Sequence, residues 1–271
     1  MSERDYVLGT HDEEIERLGL QHRVWRPSVL DLWRLAGVTE GQTVIDAGAG
    51  PGYCAIDFAE IVGPRGKVIA AERSRRFQRT LHAAAEVRGL SNIEQIETDL
   101  LEWEWPEGVA DIVWCRWVLA FVTDPTTLVA NMVRALRPGG ALVVHEYYDY
   151  RSWRLAPHSV EFETYVAAII AHWRMSGGEP DIGLDVARLC AANGLAIERA
   201  RPVAHAAHPH DFVWRWPAAF ARAHAQVMVA AGAVAPDTPT RIDSLLARYE
   251  ADPNTLSLTP GVLQIVARKA A

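Results

Sequence analysis

The sequence predicts an α/β fold in which a mostly parallel sheet carries helices on both faces, a three-layer sandwich. Two observations predict it. From residue 43 to residue 147, short β-branched runs alternate with helix-length amphipathic segments, the pattern of βαβ units. The first of those runs ends in the glycine turn Asp46-Ala47-Gly48-Ala49-Gly50-Pro51-Gly52, and a helical segment comes at once after it. A strand, a tight glycine turn and a helix N-terminus in that order place free backbone N–H groups beside any bound ligand.

Taken in order, the first forty residues read as helices. Leu18, Leu20, Val24 and Trp25, then Val29, Leu30, Leu32, Trp33 and Leu35, recur at roughly helical spacing. Gly37 and Gly41 then punctuate the chain. Residues 43–48 form a first strand, 53–62 a helix, 67–72 a second strand and 75–88 a helix. Strands at 93–99 and 110–116 come next, then a helix over 124–136. Pro138-Gly139-Gly140 breaks that helix, and a fifth strand covers 141–147. Beyond residue 148 the pattern is less regular. Helices are predicted over 159–174, 183–193, 216–232 and 239–250, and strands over 195–203 and 261–269. The last strand completes the sheet, so 204–260 reads as an insertion before it, and long insertions of this kind are often functional. The predicted organisation is an N-terminal helical cap (1–40), an α/β domain (41–203 with 261–271) and a helical insertion or lid (204–260).

Composition excludes several classes. The chain has 271 residues, is 49% hydrophobic and carries a net charge of -7. It has no bulk attraction for phosphate backbones, so nucleic acid is not an expected partner. The densest basic run, Arg73, Arg75, Arg76 and Arg79, reads as a solvated helix start. Cys54, Cys115 and Cys190 contain no C-x-x-C pair, which argues against a disulfide framework or a zinc ribbon and fits a reducing compartment. The N-terminal MSERDYVLGTHDEE has no apolar signal core, and no run approaches the ~20 apolar residues that span a bilayer. A cytoplasmic protein without membrane contact is expected, and a homodimer stays open. His205, His208 and His210 lie in HAAHPH, which matches no recognised ligand spacing, and Pro209 makes the segment a loop. No metal is expected.

The chemistry sits at the strand ends. Gly48, Gly50 and Gly52 let a ligand approach the backbone with no Cβ in the way. The dinucleotide fingerprint is G-x-G-x-x-G, whereas the spacing here is G-x-G-x-G. Asp46, two positions before the first glycine, suits a cationic ligand better than a pyrophosphate. Glu72 ends the second strand, where an acidic side chain accepts from both ribose hydroxyls, or else is a surface residue at a strand end. Asp99 closes the third strand and can accept from an exocyclic adenine amine, with Leu100 on the ring face; the competing reading is a cap for the next turn.

The segments VIDAGAGPGYCAIDFA, Glu72, TDL (98–100), DIVWCRWVL (111–119) and LRPGGALVVHE (136–146) together resemble the class I methyltransferases across roughly residues 40–147. The small-molecule enzymes of the quinone and methoxybenzoquinol type look nearest. The resemblance implies a Rossmann-like seven-stranded sheet whose last strand is antiparallel, with S-adenosylmethionine as cofactor. It also implies that Gly48, Gly50 and Gly52 approach the methionine and ribose, with Glu72 on the ribose and Asp99 on the adenine. Cys115, Arg116 and Trp117 would line the methionine end, and Arg73, directly after Glu72, joins the cofactor set. The leader Tyr6-Val7-Leu8-Gly9, followed by Glu14, Arg17 and Leu18, is similar to one that folds over the cofactor in some members. On that reading Tyr6, Gln21 and Arg23 close the site; otherwise the helix docks for stability alone. No Asn-Pro-Pro-Tyr-type tetrad follows strand four, which speaks against a nucleic-acid-base or protein-amide acceptor.

The expected reaction is methyl transfer by in-line attack, in which the protein supplies position and exclusion of water. Ligands of open α/β sheets bind beyond the carboxyl ends of the strands. The end of strand five, with His145, Glu146, Tyr147, Tyr148 and Tyr150, therefore faces the acceptor. His145 is the candidate base, against the alternative of a structural histidine on a buried strand. Ten tryptophans point to an apolar or aromatic acceptor, methylated on O, N or C. Trp25, Trp117, Tyr147 and Trp214 are the candidate acceptor contacts; Trp153, Trp173 and Trp216 also fall in segments that reach a pocket, and core packing is the alternative for each. Two other functions compete. An NAD(P)-dependent oxidoreductase is disfavoured by the glycine spacing, by Asp46, and by the absence of a Lys four residues after Tyr147, Tyr148, Tyr150 or Tyr165. A non-catalytic regulatory subunit that binds the cofactor is the second.

Overall fold

The computed structural model describes residues 12–271. It opens with α1 (Asp12–Ala36), one continuous helix where the periodicity suggested several. Pro27 sits inside α1 and forfeits one backbone hydrogen bond. Burial of Val24, Trp25, Val29, Leu32 and Trp33 along the helix outweighs that loss, since tertiary packing supplies most helix stability. Then come β1 (Thr43–Ala47), α2 (Tyr53–Val62), β2 (Lys67–Glu72), α3 (Arg75–Arg88), β3 (Ile93–Glu97), β4 (Ala110–Arg116), α4 (Pro125–Ala135) and β5 (Leu136–Asp149). The second half holds β6 (Arg154–Ala156), α5 (Val160–Met175), α6 (Gly183–Ala192), β7 (Leu195–Val203), β8 (Ala206–Ala207), α7 (Arg215–Ala230), α8 (Thr238–Glu250), β9 (Leu256–Leu258) and β10 (Gly261–Lys269).

The main sheet has seven strands in the order β3-β2-β1-β4-β5-β10-β7. From β3 to β5 all neighbours are parallel, and β10 runs antiparallel to both β5 and β7. This is the α/β sheet the sequence predicts, including its antiparallel last strand. Helices α1, α2 and α3 cover one face. There Trp33 stacks on Phe58 with ring centres 3.7 Å apart and meets Trp114 edge-on at 5.3 Å. Helices α4 and α6 cover the other face around Leu128, Met132, Val186 and Cys190. Strands buried on both faces explain the unbroken apolar runs of β1 and β5.

Two regions depart from the sequence reading. β5 starts at Leu136 and passes through Pro138-Gly139-Gly140, where a helix break and a later strand start were expected. Its ladder to β4 shifts register between the pairs Ala110–Leu136 and Ile112–Ala141, so the Pro-Gly-Gly step is absorbed as an irregularity within the strand. The 204–260 segment, expected to be helical, also contributes β8 and β9 to a three-stranded sheet ordered β6-β9-β8. That sheet draws β6 from before β7, and the Tyr165 hydroxyl of α5 donates to the Ala221 carbonyl of α7 at 2.9 Å. The cap is therefore assembled from both sides of β7. Strands of two or three residues leave no periodicity to read.

Two contacts seat α1 above the sheet. The Trp216 indole N–H of α7 donates to Gln21 at 3.0 Å. Arg201 of β7 bridges Asp31 of α1 and Gln264 of β10. Together they hold α1 over the carboxyl ends of the strands, where the cleft lies.

Candidate functional site

The glycine turn leaves β1 under backbone control. Gly48 and Ala49 donate their N–H groups to the Ala71 carbonyl at 2.9 and 3.1 Å. Gly48 is left-handed (φ 73°), and a Cβ there would strike Val118. Glu72 locks the next step: its two carboxylate oxygens accept from the N–H groups of Gly50 at 3.0 Å and Ser74 at 2.8 Å. Burial raises the Glu72 pKa, and those amides oppose the rise.

A cavity of about 410 Å3 opens over this turn, between the ends of β1 and β4. Asp46, Gly48, Gly50, Glu72 and Arg73 line it from the β1–β2 side, and Asp99, Leu100, Arg116 and Trp117 line it from β3 and β4. Sequence reasoning placed all nine at the cofactor or acceptor. Asp99 also caps its own turn, accepting from the Leu101 N–H at 2.9 Å, the competing reading of that residue.

A buried acid, Asp46, and a half-buried base, Arg116, share this side of the cavity. Asp46 is 2% exposed, and its Oδ2 has no hydrogen-bond partner. Burial pushes its carboxyl up to about 7, Arg116 pulls it down and Glu72 pushes it up. The Arg116 guanidinium lies 5.3 Å from the centre of the Trp117 ring, and one terminal nitrogen is buried without a partner.

Other expected residues stand elsewhere. Gly52 is left-handed (φ 88°), but the atom its missing Cβ would strike is on Leu81 of α3. It serves close packing of two helices, not approach of a ligand. Cys115 is fully buried against α4 and α6, because strand alternation turns it away from its neighbours Trp114 and Arg116. Arg23 is exposed, with its guanidinium 5.8 Å from the Phe212 ring. Tyr6 lies outside the described residues. Trp214 donates its indole N–H to Glu250 at 3.0 Å in the cap, whereas Trp216, two residues on, reaches the site side of α1.

Trp25 and Tyr147 form a second layer behind Trp117. Tyr147 stacks on Trp117 at 5.3 Å, and Trp25 meets it edge-on at 5.7 Å. His145 belongs to that layer and is fully buried. Gln264 is oriented by Arg201, which donates to its Oε1 at 2.6 Å, so its amide nitrogen donates to His145 Nδ1 at 3.1 Å. Nδ1 is therefore the acceptor, and Nε2 carries the proton. Burial first, then Arg116, holds the His145 pKa well below 6.5. A neutral imidazole in that tautomer, out of the cavity, is not placed to take a proton from an acceptor.

Sequence reasoning missed several lining residues: Tyr53, Cys54, Phe77, Trp114 and Phe121. Trp114 was legible, since it shares a strand face with Arg116. The Tyr53 hydroxyl donates to the Ile15 carbonyl at 3.0 Å and closes α1 over the turn. His205, His208 and His210 do not converge on a site: His208 Nδ1 pairs with the Thr255 carbonyl at 3.0 Å. Among the described residues no three His, Cys, Asp or Glu side chains gather around a metal position, and no helix is long and apolar enough to cross a membrane.

An open sheet binds its ligand where the strand order reverses, here between β1 and β4. That placement, with an antiparallel strand beside β5, is the architecture of the class I S-adenosylmethionine-dependent methyltransferases. Residues 13–174, more than half of the chain, match the ubiE/COQ5 methyltransferase family, and the chain belongs to it. It is 32% identical over 130 residues to the ubiquinone/menaquinone biosynthesis C-methyltransferase UbiE of Pseudomonas entomophila (strain L48), covering 48% of this chain and 50% of that protein. It is 30% identical over 148 residues to the UbiE protein of Vibrio vulnificus (strain YJ016), covering 50% of this chain and 56% of that one. The chain thus spans about half the length of the curated relatives it matches. Among solved structures, geranyl diphosphate methyltransferase in complex with SAM has a TM-score of 0.57 at 17% identity, over 97% of this chain and 94% of that one. The [4+2]-cyclase SpnF also has 0.57, at 18% identity, over 91% of this chain and 81% of that one. These likenesses show the fold.

The turn after β4 supplies a test. Glu146 faces away from His145, and its Oε1 accepts from the N–H groups of Val118 at 2.7 Å and Leu119 at 2.9 Å. Burial pushes its carboxyl up to about 8, against the pull of those amides. The folded state therefore holds a proton that the unfolded chain releases near 4.5. This group makes stability fall as pH rises from about 4.5 to 8, by at most about 1.4 kcal/mol per unit. Glu146→Gln, the neutral analogue, should flatten that decline when unfolding free energies are compared at about pH 5.5 and 7.5 by urea titration. Equal pH dependence in the two proteins contradicts the assignment.

Proposed function

We propose that this protein transfers a methyl group from S-adenosylmethionine to a small apolar or aromatic acceptor. The observation that carries the reading is one cavity over a G-x-G-x-G turn with an acid at each of three strand ends: Asp46, Glu72 and Asp99. The residues fit the cofactor. Glu72 keeps lone pairs for ribose hydroxyls after accepting from Gly50 and Ser74. Asp99 accepts from the adenine amine, with Leu100 and Phe77 against the ring. Asp46, with an unpartnered oxygen, faces the cationic end of the ligand. Gly48 and Gly50 admit it to the backbone.

When bound, the cofactor supplies an already activated methyl group on a sulfonium. The protein's own part is position and dryness. Trp114 and Trp117 present aromatic walls to the cavity, and such faces attract a cation. Trp25, Tyr147 and Trp216 back Trp117 and make the acceptor side apolar, which favours a flat hydrophobic molecule. The relatives' printed role as C-methyltransferases of ubiquinone and menaquinone biosynthesis supports an aromatic acceptor. His145 accepts from Gln264 and meets Trp25 and Trp117 edge-on, bracing the aromatic layer rather than serving as a base.

Isothermal titration of the protein with S-adenosylhomocysteine and with NAD tests the cofactor. The first should bind and the second should not; binding of NAD alone overturns the reading. The same titration run against pH tests Asp46. The ligand's ammonium group favours the Asp46 carboxylate, so affinity should be full above about 7 and fall below it, by up to about tenfold per pH unit. Asp46→Asn should bind weakly and lose this dependence. A wild-type affinity independent of pH between about 5 and 8 contradicts the role given to Asp46.

A further inference from the structure

Gln21 lines the cavity from α1 and is 8% exposed. Its Oε1 accepts two hydrogen bonds, from Arg17 Nη1 at 3.2 Å and from the Trp216 indole N–H at 3.0 Å. Arginine and tryptophan side chains are donors only. The amide therefore cannot be turned over: its oxygen stays with these two partners, and its nitrogen takes the opposite side. Among the described residues no hydrogen bond uses that nitrogen. A buried side chain whose acceptor is doubly satisfied thus brings an unpartnered donor to the cavity wall.

The brace is built into the sequence of α1. Glu14, Arg17, Leu18 and Gln21 recur at helical spacing along one face. Glu14 grips the Arg17 guanidinium with both oxygens, each at 2.7 Å, so the group that holds Gln21 carries no net charge. The Trp216 ring stacks against Trp117 with ring centres 6.0 Å apart, which sets Gln21 at the edge of the aromatic layer. Glu72, Arg73, Asp99 and Glu102 put the charged lining on the β2 and β3 side instead. A neutral donor at an apolar wall suits an uncharged or phenolic oxygen better than a carboxylate, which a charged donor binds more strongly.

We infer that Gln21 selects the methyl acceptor: its amide nitrogen donates to an oxygen at the edge of a flat, largely apolar molecule that lies in the cavity beside Trp117. This rests on the methyl-transfer reading above and names the polar group the acceptor must carry. A hydrocarbon of the same shape leaves the donor buried and unpaired, and a site built around such a donor rejects a molecule that cannot pair with it. Arg17 and Trp216 act through Gln21 as positioning residues. The cofactor's own carboxylate is the competing occupant of this donor, and the experiment separates the two.

The probes are fluorenone and fluorene, one flat frame with and without a carbonyl oxygen. Their binding is measured by equilibrium dialysis in the presence of S-adenosylhomocysteine, whose own affinity is measured by calorimetry. Gln21→Glu keeps an oxygen for Arg17 and Trp216 and replaces the donor by an acceptor. It should weaken fluorenone binding about 10-fold and leave fluorene and S-adenosylhomocysteine within about twofold of wild type. Trp216→Phe keeps an aromatic ring beside Trp117 but releases one hold on the amide, and should cost fluorenone about twofold to threefold with fluorene unchanged. Equal fluorenone binding by the wild type and Gln21→Glu overturns the inference, as does a wild type that takes up neither probe. Loss of S-adenosylhomocysteine affinity in Gln21→Glu with fluorenone binding intact gives the donor to the cofactor and overturns it too. Equal loss of all three ligands overturns it as a general effect on the site. A wild type that does not bind S-adenosylhomocysteine removes the cofactor reading first, and this inference with it.

Discussion

The turn that leaves β4 is held by the Glu146 carboxyl group, which accepts the N–H groups of Val118 and Leu119. Trp117, the residue before them, has φ 52°, a conformation that costs a bulky residue about 1–3 kcal/mol. Two hydrogen bonds to one buried acceptor, each contributing about 1 kcal/mol, and the Trp117 N–H donated to the His145 carbonyl at 3.1 Å offset that strain. The consequence is positional. Turning left-handed at Trp117 brings its indole onto the cavity wall against Tyr147, Trp25 and Trp216, and puts Val118 where only a glycine at position 48 leaves room. The glycine turn and the aromatic layer thus depend on a side chain that touches neither.

Dryness gives the cleft its electrostatic character. An unsatisfied buried polar group costs about 1–3 kcal/mol, and more when charged. The buried Asp46 oxygen and the one buried Arg116 nitrogen are maintained at that cost by a well-packed frame, in which Trp33 of α1 packs on Phe58 and Trp114. A buried acid answers by raising its pKa, as Asp46 does. Groups kept in this state bind a complementary ligand strongly because little water has to leave them, which is the logic of a preorganised site. α1 completes the enclosure through Tyr53 and Gln21, and Gln21 in turn receives Trp216 from α7. The cap therefore reaches the cleft through Gln21 and through the stacking of Trp216 on Trp117.

Much of this was legible in the sequence because it is local. A strand followed by a glycine turn, and acids at the next two strand ends, mark Asp46, Glu72 and Asp99 with no knowledge of tertiary contacts. Alternation along a strand would also have sorted Cys115 from Arg116, had it been applied there as it was to His145 and Glu146. Local pattern could not show partnership across the chain. Gly52 looked like part of the ligand turn, yet its constraint is Leu81, far along the chain in α3. His145 looked like a base until Gln264 and Arg201 fixed its tautomer. Trp214 and Trp216 look equivalent in sequence, but the second is the one that meets Gln21. The small β6-β9-β8 sheet draws strands from opposite sides of β7, and no window of sequence contains it.

A crystal structure with S-adenosylhomocysteine bound is the decisive measurement, because it reports every pole of the cleft at once. The ribose hydroxyls should lie on Glu72, the adenine beside Asp99 and Leu100, and the amino-acid end between Asp46 and Arg116, with Trp117 still left-handed. A ligand whose ribose lies away from Glu72, or whose amino-acid end points out toward Arg73 with Asp46 and Arg116 still unpartnered, would contradict this assignment of the cleft.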